Sequence, residues 1–109
     1  MIKFFVAASW FDKDKASDMA YIISMRYGWQ CTSYWWKHED PKHRLSYAIE
    51  DLKNLREADY LFVYNGEHKT TGKLIEIGVA LGLGIPVFVY GNKISGVYSE
   101  LIIYKGEKL

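Results

Sequence analysis

The chain has 109 residues, of which 50% are hydrophobic, and its formal net charge is +1. These values predict a single domain over 1–109, exclude a disordered chain, and argue against a nucleic-acid partner. No apolar run reaches the roughly 18 residues of a membrane span, and Cys31 is the only cysteine, so no membrane partner and a reducing, cytoplasmic location are expected.

Strand and helix signals alternate along the chain. Apolar runs at 2–8, 60–64 and 85–90 predict buried strands, the more polar run 30–35 predicts a strand near an edge, and 101–104 is a candidate fifth strand. Helical spacing predicts helices over 14–27, about 44–57 and about 71–84. Because the connections are too long for hairpins, we expect an α/β fold, a flavodoxin-like three-layer sandwich with a parallel sheet of four to five strands.

Glu76 is the most informative residue, because it interrupts a helical segment, 74–83, that is otherwise apolar on nearly every side. Such a pattern is typical of a buried helix, where an unaided carboxylate is costly or has a raised pKa. The hydroxyls of Thr70 and Thr71 and the glycine Gly72 stand where this helix begins, in a loop of the kind that can hold phosphate. Glu76 is therefore a candidate reactive group. The alternative is a narrow solvent-facing strip on a surface helix.

Ligands of parallel sheets bind beyond the carboxyl ends of the strands, where the strand order reverses. Ser9, Trp10 and Phe11 follow the first predicted strand, Tyr34 lies at the end of the second, and 65–72 leads from the third into the Glu76 helix. These residues are therefore candidates for the rim of one ligand-binding site. The alternatives are that Ser9 caps a helix and that Trp10 and Phe11 belong to the core.

Asp51 is the second informative carboxylate. The apolar side of its helix is predicted to consist of Leu45, Ala48, Ile49, Leu52 and Leu55. Asp51 shares a helical side with three of these residues, so its side chain could face inward. A boundary aspartate with a solvated tip is the alternative.

The Trp35–Trp36 pair predicts a subunit contact. If the strand continues through both residues, one ring lies on each face of the sheet, and an outward-facing indole is most simply covered by a second copy of the chain. A homodimer or a higher homo-oligomer is therefore expected.

The polar run at 37–44 is expected to be a solvated loop rather than a binding surface. His38 and His43 lack a cysteine or carboxylate partner at metal-ligand spacing, so no metal site is expected. The segment 70–73 lacks the second glycine and the ending of a P-loop, and no dinucleotide-type glycine pattern follows the first strand. No cofactor is expected.

Three segments, taken together, resemble the nucleoside 2-deoxyribosyltransferase family, which includes deoxynucleoside 5′-monophosphate N-glycosidases. Segment 5–11 (FVAASWF) resembles the first strand and loop of the family, and 51–63 resembles its passage from an aspartate-bearing helix into a strand. The most specific match is TGKLIEIGVA at 71–80, followed by GIPV at 84–87.

The resemblance implies that Glu76 is the nucleophile that attacks the anomeric carbon of a 2-deoxynucleoside, and that Asp51 hydrogen-bonds the sugar or assists at the base. The implied substrate-binding residues are Ala8, Ser9, Trp10, Phe11, Tyr34, Thr70, Thr71 and Gly72. Thr70 stands where the transferases carry an aspartate and the monophosphate glycosidases a serine, and it is closer to the serine. The implied partners are a deoxynucleoside or deoxynucleotide and a free nucleobase.

The family completes its sites with C-terminal residues of a neighbouring subunit, for which Asn92, Ser95, Tyr98 and Ser99 are the candidates here. Two other functions stay open on the sequence. One is a glycohydrolase of another nucleotide, of the nicotinamide dinucleotide type, that uses the same glutamate. The other is a nucleotide-binding or sensor module that has kept the pocket and lost turnover.

Overall fold

The computed structural model describes residues 1–39 and 44–109. Five parallel strands form one sheet in the order β2-β1-β3-β4-β5; they are β1 (Lys3–Ala7), β2 (Gln30–Cys31), β3 (Tyr60–Asn65), β4 (Val87–Gly91) and β5 (Ile102–Gly106). The α-helices of this part of the chain are α1 (Lys13–Tyr27), α2 (Arg44–Arg56) and α3 (Thr71–Gly82). The predicted α/β fold is confirmed, including its fifth strand.

The core lies around β1 and β3, whose apolar runs make them the central strands. Phe4, Phe5 and Val6 are fully buried, and the ring of Phe4 packs edge-on against Phe62 with centroids 5.8 Å apart. Helices α2 and α3 contact each other and β1. Since parallel crossovers are right-handed, the reversal of direction after β2 puts α1 on one face of the sheet and α2 and α3 on the other.

The strand order reverses between β1 and β3, so the crevice expected for a ligand lies beyond the ends of these two strands. The loops that follow them are in contact. The ring of Phe11 stacks on His68 at 4.7 Å, and a Cβ at Gly66 would come within 2.5 Å of a carboxylate oxygen of Asp12. A larger residue at position 66 would therefore displace the Asp12 side chain, and the two loops form one rim.

Strand β2 is shorter than predicted, because side chains replace the backbone ladder after Thr32, whose amide still donates to the carbonyl of Phe4 at 2.8 Å. The hydroxyl of Ser33 accepts a hydrogen bond from the amide of Val6 at 2.9 Å. The indole Nε1 of Trp35 donates to the carbonyl of Val6 at 2.7 Å. Both polar groups of this β1 residue are thus satisfied without a neighbouring strand, and the chain is free to turn.

The prediction that Trp35 and Trp36 lie on opposite faces of a strand is wrong. Residues Trp35–Lys37 form a turn of 3-10 helix, in which Trp35 is buried and Trp36 is half-buried against the core. Their rings contact each other at 5.5 Å. This pair therefore gives no support to a subunit contact.

The prediction that α3 is buried nearly all round is also wrong. Leu74 and Ile75 are 55% and 58% exposed, while the side chains turned inward are those of Lys73, Ile77 and Ala80. Glu76 lies between these two sides and is partly buried. The alternative interpretation placed Glu76 on a solvent-facing strip of the helix. That strip is formed by Leu74 and Ile75 instead, and Glu76 does not belong to it.

The side of helix α2 that faces the core also differs from the predicted apolar side. Leu45 and Ile49 are 75% and 60% exposed, whereas Leu55 is fully buried. The side that faces inward carries Tyr47 and Asp51, both partly buried. Asp51 therefore does look inward, as the first of its two interpretations predicts.

Candidate active site

Two carboxylates lie on the contacting helices α2 and α3. Asp51 comes from α2 and Glu76 from α3, and each is partly buried. They are close enough for the charge of Asp51 to act on Glu76. The Oδ1 atom of Asp51 is buried and has no hydrogen-bond partner within 1–39 and 44–109. An unsatisfied buried oxygen of this kind is available to a ligand.

Burial determines the charge state of this pair. Burial, the larger cause, and the nearby negative charge of Asp51 together raise the pKa of Glu76 to about 8. The pKa of Asp51 is raised to about 6, mainly by burial, with His38 opposing the shift and Glu50 adding to it. Between these two values the pair holds one proton, which is the protonation that an acid–base step requires.

A cavity of about 470 Å³ opens beside Asp51, and its volume is in the range of small-molecule sites. Most of its lining is aromatic or ionisable: Trp10, Trp35, His38, Glu39, Arg44, Tyr47 and Asp51. The rings of Trp10 and Trp35 both line it and lie 6.4 Å apart. The flat walls suit a planar base or a sugar face.

The sequence interpretation missed His38 and Tyr47, which belong to this cavity. The two rings stack in parallel at 3.9 Å, and His38 Nε2 lies 3.6 Å from a carboxylate oxygen of Glu50. His38 was expected in a solvated loop. The spacing of Tyr47 and Asp51, four residues apart on one helix, is the signal that could have found Tyr47. His43, named in the same expectation, lies outside the described residues.

The loop after β1 reaches the cavity through Trp10 alone. Ser9 is fully buried, and its hydroxyl accepts a hydrogen bond from the amide of Phe11 at 3.1 Å. Ser9 therefore caps the short helical turn Trp10–Asp12, as its alternative interpretation predicts. Ala8 is also buried. Phe11 is 71% exposed and stacks on His68 instead.

None of the predicted residues at the start of α3 lines the cavity beside Asp51, and one of them lies at a second cavity. Thr70 lines that cavity, and its hydroxyl is buried with no partner in the described part of the chain. Thr71 and Gly72 are exposed in the first helical turn. Tyr34 is 44% exposed, with its ring 6.4 Å from that of His38 at the border of the first cavity.

Among the residues that the structure describes, no group of three or more His, Cys, Asp or Glu side chains is arranged to hold a metal ion. No helix within 1–39 and 44–109 has the length and apolar character needed to cross a membrane.

The fold was compared with those of known proteins. The CMP N-glycosidase BcmB of Clostridium botulinum superposes with a TM-score of 0.66 at 16% identity, over 95% of this chain and 87% of that one. The 2-deoxyribosyltransferase of Bacillus psychrosaccharolyticus superposes with a TM-score of 0.66 at 18% identity, over 94% and 97%. The chain has the fold of these two enzymes. Both belong to the nucleoside 2-deoxyribosyltransferase family, so the resemblance of the three segments is confirmed at the level of the fold.

Sequence comparison alone does not reach this result, since no protein-family model and no curated protein matches the chain. At 16% and 18% identity the two neighbours establish only the fold of this chain, and its chemistry has to be inferred from its own residues. Those residues are two carboxylates whose pKa values are both raised and an aromatic cavity beside Asp51. Such a pair can combine nucleophilic attack with proton transfer on one substrate.

Proposed function

We propose that this chain cleaves or transfers the N-glycosidic bond of 2′-deoxynucleosides or their 5′-monophosphates, through a covalent deoxyribosyl ester on Glu76. The observation that carries the proposal is the pair of partly buried carboxylates Asp51 and Glu76, which interact electrostatically and of which Asp51 lines an aromatic cavity. The shared fold with an N-glycosidase and a deoxyribosyltransferase supports it.

In the first step a Glu76 oxygen forms a bond to the anomeric carbon as the bond from that carbon to the base nitrogen breaks. The electron pair leaves with the base, which takes up a proton. Positive charge that develops on the sugar favours ionised Glu76, so the single proton of the pair then resides on Asp51 and passes to the base. Without a 2′-hydroxyl the oxocarbenium-like transition state is more accessible, and one carboxylate suffices to trap it.

In the second step a water oxygen attacks the anomeric carbon, the ester bond to Glu76 breaks, and Asp51 takes the proton from the water. If a second base replaces water, its ring nitrogen attacks and gives its proton to Asp51, and the net reaction is transfer. Both outcomes regenerate the pair with one proton. Trp10 and Trp35 are proposed to hold the base or sugar between flat surfaces.

The direct test is incubation with deoxynucleosides, their 5′-monophosphates, CMP and a nicotinamide dinucleotide, with and without a competing base, followed by chromatography. Free base from the deoxy substrates supports the proposal, and exchanged base identifies a transferase. Release of nicotinamide alone would support the dinucleotide glycohydrolase. Tight binding without release of any base would support the sensor module.

The hydroxyl of Thr70, which has no partner among the described residues, is proposed to bind the 5′-phosphate and so to make the site prefer monophosphates over nucleosides. Thr70→Val should weaken binding of a 5′-monophosphate roughly ten- to hundredfold, because a hydrogen bond to a charged group is worth about 1.5–3 kcal/mol. Binding of the unphosphorylated nucleoside, measured by calorimetry with the same variant, should stay within about twofold of wild type. Equal losses for the two ligands would place Thr70 at the sugar or the base.

We also propose that the chain acts as a homodimer through the outer side of α2 and α3 rather than through Trp35 and Trp36. Leu45, Ile49 and Ile75 are 75%, 60% and 58% exposed, and Gly78 on the same outer side of α3 has nothing within 4 Å of a built Cβ. An exposed apolar strip of this kind can pack against its own copy across a two-fold axis. Burying the three side chains would contribute on the order of 3 kcal/mol per subunit.

Ile49→Asp should therefore convert a dimer into a monomer, because each subunit would place a carboxylate in the apolar contact. Light scattering at micromolar concentration measures the result. The control is Val97→Asp, which adds the same charge at a residue that is 89% exposed and lies outside α2 and α3. A wild-type monomer with full activity would refute the dimer.

A further inference from the structure

Helix α1 has an apolar side that faces solvent. Tyr21, Ile22 and Met25 are 67%, 38% and 69% exposed. Met25 is three residues from Ile22 and four from Tyr21, so its side chain neighbours both of them on the helix. The core contacts of α1 are made by a different set of residues: Ala16, Met19, Ala20 and Ile23. A contiguous exposed apolar patch of this kind marks an interaction surface.

This patch is open because α1 is the only α-helix of 1–39 and 44–109 on its face of the sheet, while α2 and α3 lie on the other face. The sheet beside it is incompletely covered. Phe88 of β4 packs on Phe62, whose ring also contacts Trp29 just after α1. Phe88 is half-buried, and Ile103, its partner in β5, is 48% exposed. The apolar side of α1 therefore borders a second apolar area on the same face.

Two charged residues of opposite sign flank the patch symmetrically. Asp18 lies four residues before Ile22 and Arg26 four residues after it, so the three side chains share one side of α1. Each charge is about 6 Å along the helix axis from Ile22. Both charged residues are exposed, and neither forms an ion pair within the part of the chain that the structure describes. Their charges are therefore available to a partner.

The order of charge, apolar residue and opposite charge is complementary to itself. If two copies of α1 pack antiparallel and cross at Ile22, each Asp18 lies at the level of Arg26 of the other copy, and the apolar side chains meet between the two ion pairs. A parallel arrangement would instead bring like charges together. One charge of each sign gives no attraction for a polyanion or a polycation. A second copy of this chain is therefore the occupant that the pattern fits.

We propose that α1 is a second self-association surface, on which two copies pack antiparallel through Ile22 and Met25 with two Asp18–Arg26 ion pairs. It lies on the opposite face of the sheet from the outer side of α2 and α3, so both contacts can form at once and join dimers into larger assemblies. One helix of each copy makes this contact, against two in the other, so it forms at higher protein concentration. None of its residues lines the cavity beside Asp51, and it does not depend on the glycosidic reaction.

The test is charge reversal in the Ile49→Asp background, in which the α2–α3 contact is disrupted and α1 alone joins the copies. Sedimentation equilibrium should show this parent passing from monomer to dimer between micromolar and submillimolar concentration. Asp18→Arg alone, or Arg26→Asp alone, should weaken the dimer at least about tenfold, because each variant places like charges at both ends of the contact. An equimolar mixture of the two variants should dimerise like the parent, because the two chains then carry complementary charges at both ends.

The matched controls are Arg56→Asp and Glu57→Arg, which reverse the same charges at exposed positions at the end of α2 and should dimerise like the parent. Circular dichroism verifies that each variant folds. If Ile49→Asp itself fails to fold, the same reversals in wild type decide the question through the step from dimer to larger assembly.

Three results would overturn the proposal: a parent that stays monomeric over the whole concentration range, single reversals that dimerise as well as the parent, or a mixture that dimerises no better than its components. Each of them would assign the apolar side of α1 to a partner other than a second copy of this chain.

Discussion

Glu76→Gln should lower turnover by at least about 10³-fold while the protein stays folded, because an amide cannot form the glycosyl ester and loss of a nucleophile has effects of this size. Gln keeps the shape of Glu and removes the charge that burial disfavours, so the packing of α3 should be preserved. Initial rates with the best substrate of the panel, together with circular dichroism, measure the two quantities.

The control is Glu57→Gln, which makes the same chemical change at an exposed residue just beyond α2 and should retain full activity. A slow substrate should leave a deoxyribosyl adduct on the wild-type peptide that contains Glu76, detectable by mass spectrometry. A folded Glu76→Gln variant with wild-type rates would remove this residue from the mechanism, and an adduct on Asp51 would exchange the two roles.

The same substitution should stabilise the protein in alkaline solution. The carboxyl of Glu76 has its pKa raised from the ordinary 4.5 to about 8 in the folded state. From pH 4.5 to pH 8 the unfolded chain loses this proton and the folded chain keeps it, so the free energy of unfolding falls as the pH rises through that window. Above pH 8 the loss is complete, and below pH 4.5 it is absent.

At pH 8.5 Glu76→Gln should therefore be more stable than wild type by on the order of 2 kcal/mol, a value reduced from the full shift because the side chain is only partly buried. At pH 4.5 the two proteins should differ little. Urea unfolding at both pH values gives the comparison. Asp51→Asn should show a smaller alkaline gain, because it removes one of the two causes that raise the pKa of Glu76. A gain that does not depend on pH would refute a buried, protonated Glu76.

The sheet was predictable because its signals are local. Continuous apolar runs at β1, β3 and β4 can only be buried strands, and each alternates with a helix of sufficient length. β2 was overextended because its ladder is replaced by the side chains of Ser33 and Trp35, which bond to Val6. Sequence periodicity carries no information about a side chain that takes the place of a backbone partner.

The candidate site was partly predictable for a similar reason. Glu76 and Asp51 are noticeable in the sequence because a carboxylate among apolar residues is costly to bury and so indicates a special role. His38 lies in a polar run, where a histidine is unremarkable until the fold brings it to Tyr47 and Asp51. The burial of Lys73 was hidden as well, because α3 turns its lysine inward and leaves Leu74 and Ile75 exposed.

The double use of Trp35 restricts how this protein can evolve or be engineered. Its indole is a wall of the cavity beside Asp51 and also the donor that satisfies the carbonyl of Val6 in the central strand. Any replacement without a ring N–H would leave that carbonyl without its partner in the core, whatever it gained in substrate choice. Trp10 lines the same cavity and is 45% exposed. Under the proposed function, altered base specificity is therefore accessible through Trp10, while Trp35 is fixed by its bond to Val6.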